Sequence, residues 1–501
     1  MGTGRTTPSA ARRAITALTL LVASGLLISA CSSSSAPSQP AGTATPDITQ
    51  DSEADRAGVL FLPGFLGSEL ACEHDGNRNL VWPGSVDGVK VNSDIGALGI
   101  INTIQGGKVE SQTTSSKSCG AKKFEQGSVA LNDPQPVSAT WCIPESSGAI
   151  GPGAHSCAVY QTPVYSELGI TMQDTSEQLG RPFEAWAWDW RLDPRQQVPR
   201  LHETIVNMRQ QTGAKVTVLA HSFGNTLFEA WIDYVEAKGE QAGDYVGRFV
   251  GAGSPWWGVT GLRPDVQGEL QPGLVASVLS HIIGNQLIAS TFSSMPGPYH
   301  LLPTRWYDEY IAQQNNTKGQ GWLAAESNDG KSYWVPYNGV GQTLGAALDS
   351  CPQQETFPCQ AQKLYDESGV AERAEGFNRS GIADWVQIVG SGVPTTEQFC
   401  LGCTDWPSSN QKRVVKQQET TDTLTTSTSG DELVPVFSAI RGSNPRDPAG
   451  DDVDFFFTCG IKHTALVTDQ SILDQLAPYL WGDGVMSYGG VFSDEPCAQS
   501  S

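Results

Sequence analysis

The sequence predicts an α/β protein whose central sheet is mostly parallel and covered by helices. Three observations carry that expectation. Several short apolar runs each end at a Gly, Pro or Ser break, an amphipathic helical spacing separates two of them, and 501 residues at 39% hydrophobic composition suffice for a large core. A strand buried on both faces reads as a continuous apolar run rather than an alternating one.

Before the first strand the chain reads as an export segment. Arg5, Arg12 and Arg13 precede an uncharged, largely apolar run from Ala14 to Ala30, which ends Leu27-Ile28-Ser29-Ala30-Cys31. A positive start, an apolar centre and small residues at the end are the features of a secretory signal. A single spanning helix is the alternative, but the run is short for that and Gly25 interrupts it. The aliphatic, two small residues and cysteine resemble the lipobox of bacterial lipoproteins, which would place lipid on Cys31 and give residues 1–30 as the signal. Arg12-Arg13 lacks the bulky apolar pair of a twin-arginine signal, so the export route stays open. Residues 31–56 are then a flexible tether, almost free of large apolar side chains.

The chain has 11 cysteines, an odd number. Lipidation of Cys31 leaves an even set at 72, 119, 142, 157, 351, 359, 400, 403, 459 and 497, consistent with up to five disulfides of open connectivity. Formal charge is −22, and without the three N-terminal arginines it is −25. So acidic a surface repels a phosphate backbone, and no nucleic-acid partner is expected.

The folded region is expected over 57–492. Gly58 to Leu62 reads as a buried strand entering the tight loop Pro63-Gly64-Phe65-Leu66-Gly67. The pattern returns at Val216 to Leu219 before His221-Ser222, at Phe249 to Gly251 before Ser254-Pro255, and at Val386 to Gly390 before Pro394. Asn225 to Ala237 carries Leu227, Phe228, Trp231, Ile232 and Val235 at helical spacing. Two stretches break the alternation, about 72–165 and about 260–345, and are expected as insertions that cap the sheet. The apolar segment Leu274 to Ile283 in the second reads as a helix packed on the core, with membrane contact as the alternative.

Ser222 follows a buried strand and precedes a helix, in Ala220-His221-Ser222-Phe223-Gly224. A sharp turn there lifts the side chain above the sheet and requires small residues two positions to either side. Ala220 stands where glycine is usual. The alternative is an ordinary loop serine. An activated serine needs a histidine to accept its proton and a carboxylate to orient that histidine. Of seven histidines only His463 lies late in the chain and before a closing helix, expected over Leu466 to Leu480. Between the two, Asp431 sits on the turn Gly430-Asp431-Glu432-Leu433, with Glu432 as the neighbouring alternative. The backbone N–H groups of Phe65 and Phe223 are the expected oxyanion donors. No metal or organic cofactor is expected, since zinc-protease spacing, paired Cys-x-x-Cys motifs and a phosphate-binding glycine loop are all missing from the sequence.

With these residues in place the chain resembles the lecithin:cholesterol acyltransferase family. The matching stretches are Val59 to Leu70, Trp188-Asp189-Trp190-Arg191-Leu192, Ala220 to Gly224, Gly253 to Gly258, Leu302-Pro303, Gly390 to Thr395, Gly430 to Pro435, and His463. The resemblance implies an α/β-hydrolase fold with cap and lid insertions. It implies a serine that takes an acyl chain from a glycerolipid and passes it to water or an alcohol. It also implies that Trp256 and Asp189 help shape the acyl site, with core packing alone as the alternative. The resulting expectation is a lipase or O-acyltransferase of phospholipase A or lipase type, lipid-anchored on the outer face of a bacterial cell membrane. The alternatives are an esterase for a non-glycerolipid ester and a non-catalytic ligand-binding lipoprotein on the same scaffold.

Overall fold

The computed structural model describes residues 56–65, 67–74, 77–82, 135–139, 165–260, 296–314, 323–326, 332–335, 364–401, 413–416, 423–443 and 452–497. The chain divides into two units, Met1–Gln50 and Asp51–Ser501, and all described residues lie in the second. The expected signal, Cys31, the tether and the Leu274–Ile283 segment fall outside the described residues.

Six strands form the central sheet: β1 (Val59–Leu62), β2 (Phe183–Ala185), β3 (Val216–His221), β4 (Val246–Ala252), β5 (Asp384–Ser391) and β6 (Asp454–Cys459). Every pairing in it is parallel, in the spatial order β6-β5-β4-β3-β1-β2. Alternate residues of β1 explain its unbroken apolar run. Leu60 and Leu62 enter one core cluster while Val59 and Phe61 enter another, on the opposite face.

Helices cover both faces. The first cluster is closed by α2 (Val198–Thr212) and α3 (Phe223–Glu236), through Leu201, Ile205, Leu227 and Trp231. The second is closed by α1 (Ser166–Leu179) and α4 (Gln470–Leu480), through Leu168, Met172, Leu473 and Leu476. The helix expected from Leu466 begins later. Residues His463–Val467 form a 3₁₀ turn, and the Asp469 side chain accepts from Ser471 N to start α4 at Gln470.

The chain moves outward from β1 to β2, then crosses to β3 on the other side of β1. That reversal opens a crevice at the carboxyl ends of β1 and β3, where open α/β sheets bind ligands. The loop Pro63–Gly67 and Ser222 occupy those two ends.

Two smaller sheets flank this core. Ser68–His74, Asn77–Trp82 and Gln135–Ala139 form an antiparallel sheet of three strands. After β5, Gly392 at φ 78° redirects the chain into Val393–Leu401, which belongs to a five-stranded sheet with Thr423–Gly430, Arg413–Lys416, Leu323–Glu326 and Ser332–Val335. Thr423–Gly430 runs back antiparallel to Val393–Leu401 and delivers Asp431 beside Val393, at the carboxyl end of β5. Among the described residues no helix is long and apolar enough to cross a membrane.

Candidate active site

Ser222 joins β3 to α3 with φ 54° and ψ −124°. A non-glycine residue at that angle costs about 1–3 kcal/mol and persists only where its surroundings enforce it. Here the enforcement is specific. Ser222 N donates to Ala252 O at 2.9 Å. The buried Asn225 amide donates to the carbonyls of Ser222 at 3.0 Å and Ala252 at 3.3 Å. Ala220 is fully buried at the end of β3 and in register with Leu62 of β1.

The expected acid and base meet. His463 Nδ1 lies 2.7 Å from Asp431 Oδ2, and both side chains are buried. The other carboxylate oxygen, Oδ1, accepts from Leu433 N at 3.0 Å and Val434 N at 2.7 Å. With Asp431 as the acceptor, Nδ1 carries the proton, so Nε2 has the lone pair a base requires. That Nε2 is buried and has no hydrogen-bond partner among the described residues. Glu432, the neighbouring alternative, turns away: its carboxylate pairs with Lys462 Nζ at 2.8 Å.

The loop after β1 is packed onto Ser222. A Cβ on Gly64 would stand 2.7 Å from Ser222 Cβ, so no side chain fits at that position. Gly67 N donates to Gly64 O at 2.9 Å and closes the turn around Phe65. The Trp188–Arg191 segment grips this turn from behind. Trp188 Nε1 donates to Pro63 O at 2.8 Å, Trp190 Nε1 to Ser68 O at 3.1 Å, and the Phe65 ring meets Trp190 edge-on at 5.2 Å. Phe223 is the first residue of α3, where a backbone N–H has no intrahelical acceptor.

Residues 164–305 match the lecithin:cholesterol acyltransferase family model. The family read from the sequence is the family that matches. The matched stretch holds Trp188 to Leu192, Ser222 and Trp256, whereas Asp431 and His463 lie beyond it. Among solved structures, a chain in the crystal structure of the Tle4–Tli4 complex is similar at 13% identity and a TM-score of 0.41, covering 85% of this chain and 97% of its own. No curated protein matches the chain.

The family resemblance also pointed to Asp189 and Trp256. Each is 1% exposed. The Asp189 carboxylate takes Arg191 through Nε at 2.9 Å and Nη2 at 2.6 Å, and its backbone is clasped by the Gln197 amide. Trp256 Nε1 donates to Gln387 Oε1 at 3.1 Å, and its ring lies near Phe249 and Trp385. Their contacts are those of the core, and the bonds of Asp189 fix the Trp188–Arg191 segment behind the Phe65 turn.

Sequence reading did not single out Asn225, or Tyr165, whose hydroxyl lies 3.0 Å from Gly64 N and 2.8 Å from His221 Nδ1. Asn225 had a local signal, a lone amide in the apolar stripe of α3, three residues after the serine. Tyr165 had none.

Proposed function

We propose that this chain is a serine-dependent lipase or O-acyltransferase that cleaves an acyl ester of a glycerolipid and passes the acyl group to water or an alcohol. The observation that carries this reading is the strained Ser222 turn together with an Asp431–His463 pair whose Nε2 is buried and unpartnered among the described residues. The match to the lecithin:cholesterol acyltransferase family supports acyl-ester chemistry on lipids in general.

In the proposed cycle, Ser222 Oγ attacks the ester carbonyl while its proton passes to His463 Nε2. Asp431 keeps the other ring nitrogen protonated and stabilises the imidazolium. The negative charge that develops on the carbonyl oxygen is met by the N–H groups of Phe223 and Phe65. Collapse breaks the ester C–O bond, and His463 returns the proton to the departing alcohol. Water or a second alcohol then attacks the acyl-serine by the same proton route, regenerating Ser222.

The sequence further supports an exported protein held at a membrane through lipid on Cys31. At −25 the mature chain would not adhere electrostatically to an anionic bilayer, so an anchor is what would keep it near its substrate.

The test uses a fluorophosphonate probe, a para-nitrophenyl ester and a phospholipid. The expected result is labelling of wild type on Ser222, release of fatty acid from the phospholipid, and loss of both in Ser222→Ala. Wild-type turnover in Ser222→Ala would overturn the assignment.

A further inference from the structure

Beneath the nucleophile runs a chain of three hydrogen bonds that the proposed cycle does not use. Gly64 N lies 3.0 Å from Tyr165 Oη, Tyr165 Oη lies 2.8 Å from His221 Nδ1, and His221 Nε2 lies 3.0 Å from the carbonyl oxygen of His463. Its direction is fixed by chemistry. A carbonyl oxygen only accepts, so His221 Nε2 bears the proton. Nδ1 of the neutral ring is then an acceptor, and the Tyr165 hydroxyl donates to it. The hydroxyl oxygen is left to accept from Gly64 N–H, and every donor has one acceptor.

Both rings are held in that state. Tyr165 is 1% exposed, with its ring against Phe61 of β1 at 4.9 Å. Burial holds the His221 imidazole well below its usual range, with the neighbouring His463 acting in the same direction, so it stays neutral. Burial likewise pushes the Tyr165 phenol upward, away from ionisation.

The two ends of the chain are two loops of the proposed machinery. At one end, the nitrogen of Gly64 is tied by Tyr165, and its carbonyl is tied by Gly67 N–H. That carbonyl belongs to the peptide whose N–H is that of Phe65. In a trans peptide the two bonds point in opposite directions, so fixing one aims the other. At the other end, His463 N donates to Asp431 O at 2.8 Å while His463 O accepts from His221, which clamps the backbone of the base on both sides.

We infer that Tyr165 and His221 are positioning residues that hold the oxyanion loop and the backbone of His463 in one register across the nucleophile. The inference rests on Ser222, Asp431 and His463 acting as proposed. A donor displaced by about 1 Å costs on the order of a hundredfold in rate. Removing an interaction made only in the transition state lowers kcat and leaves KM in place.

The test is steady-state kinetics on a para-nitrophenyl ester with Tyr165→Phe and His221→Gln. The first keeps the ring packed on Phe61 and deletes the hydroxyl. The second keeps a donor for the His463 carbonyl and removes the ring nitrogen that accepts from the Tyr165 hydroxyl. In both variants kcat is expected to fall about tenfold to a hundredfold with KM changed less than about twofold. The double variant is expected to lose little more than either single one, because one chain is cut in each. Wild-type kcat in either variant, or a rise in KM at unchanged kcat, overturns the inference. Wild type labelled on Ser222 by a fluorophosphonate alongside a fully active Tyr165→Phe sinks this inference alone, whereas unlabelled wild type sinks the proposed function beneath it.

Discussion

Replacing Asp431 by asparagine isolates the role of one oxygen. Asp431 Oδ1 accepts from two backbone donors, Leu433 N and Val434 N, while Oδ2 faces His463 Nδ1 at 2.7 Å. An asparagine amide has one acceptor and one donor end. Its oxygen will take the Oδ1 position, because the reverse orientation would set an NH₂ group against two buried N–H groups. The amide nitrogen then faces Nδ1 and drives the imidazole to the tautomer with its proton on Nε2, where it cannot accept from Ser222. Reaching the productive tautomer requires flipping the amide, which orphans the buried Val434 N–H and the part-buried Leu433 N–H at about 2 kcal/mol each. The imidazolium also loses an ionic partner, about 1–2 kcal/mol more. Together these predict a fall in kcat of about 10⁴ at unchanged fold. Ester turnover at pH 7.5 with a parallel circular dichroism melt checks it. Turnover within tenfold of wild type, in a variant with a normal melt, would refute the tautomer reasoning.

Three other outcomes follow from the same geometry. Gly224→Ala places a methyl against the carbonyls of Leu62 and Pro63 where α3 crosses the end of β1; the expected result is a loss of about 1–3 kcal/mol in chemical denaturation, with reduced turnover. Cys459→Ser with Cys497→Ser opens a link across 38 residues that ties the C-terminal segment to the end of β6, just before His463; denaturation midpoints should drop by the equivalent of about 2–4 kcal/mol, and reducing agent should have a smaller effect on the variant than on wild type. His221 and His300 are both held below the ordinary value of 6.5, chiefly by burial. Each therefore binds a proton in the unfolded chain before it does so in the native one, so their contribution is complete above about pH 6.5 and declines as pH falls below it. Urea unfolding at pH 7.5, 6.5 and 5.5 should show this as a slope of up to about 1.4 kcal/mol per pH unit for each group, reduced in His221→Gln.

The parts of this molecule that were legible in the sequence are those whose physics is local. β1, β3, β4 and β5 announce themselves because both faces of each strand are largely buried, which keeps the runs mostly apolar, with Thr217 in β3, Arg248 in β4 and Gln387 in β5 the polar interruptions. β2 does not. Phe183–Ala185 has three residues, partly exposed, and is a strand because its backbone pairs with β1. β6 carried a readable signal in Phe455-Phe456-Phe457, set close behind acidic residues that mask it in a composition window. The Ser222 turn was legible for the same local reason, since a strand, a sharp turn and a helix follow one another without a gap. Asp431 and His463 could be found only by order along the chain. Once Asp431 Oδ1 is seen to be taken by Leu433 and Val434, the choice over Glu432 follows from the turn itself.

Tyr165 and His221 show where local reading ends. The phenol acts on a residue 101 positions away and on another 56 positions away, and the imidazole reaches a carbonyl 242 positions away. No spacing rule links them, and each residue alone reads as ordinary core. Their pairing exists because α1 packs on the face of β1 that carries Phe61, which sets the Tyr165 hydroxyl between the end of β1 and the end of β3. The sheet order that opens the crevice is thus the same order that brings the Pro63–Gly67 loop and His221 within reach of one phenol, and through His221 the carbonyl of His463. A sheet in which β1 and β3 were not neighbours would lose that phenol's grip on Gly64 and His221 together; Tyr165→Phe cuts the same grip with the sheet intact, and because the groups it positions act in the transition state the expected loss is in kcat.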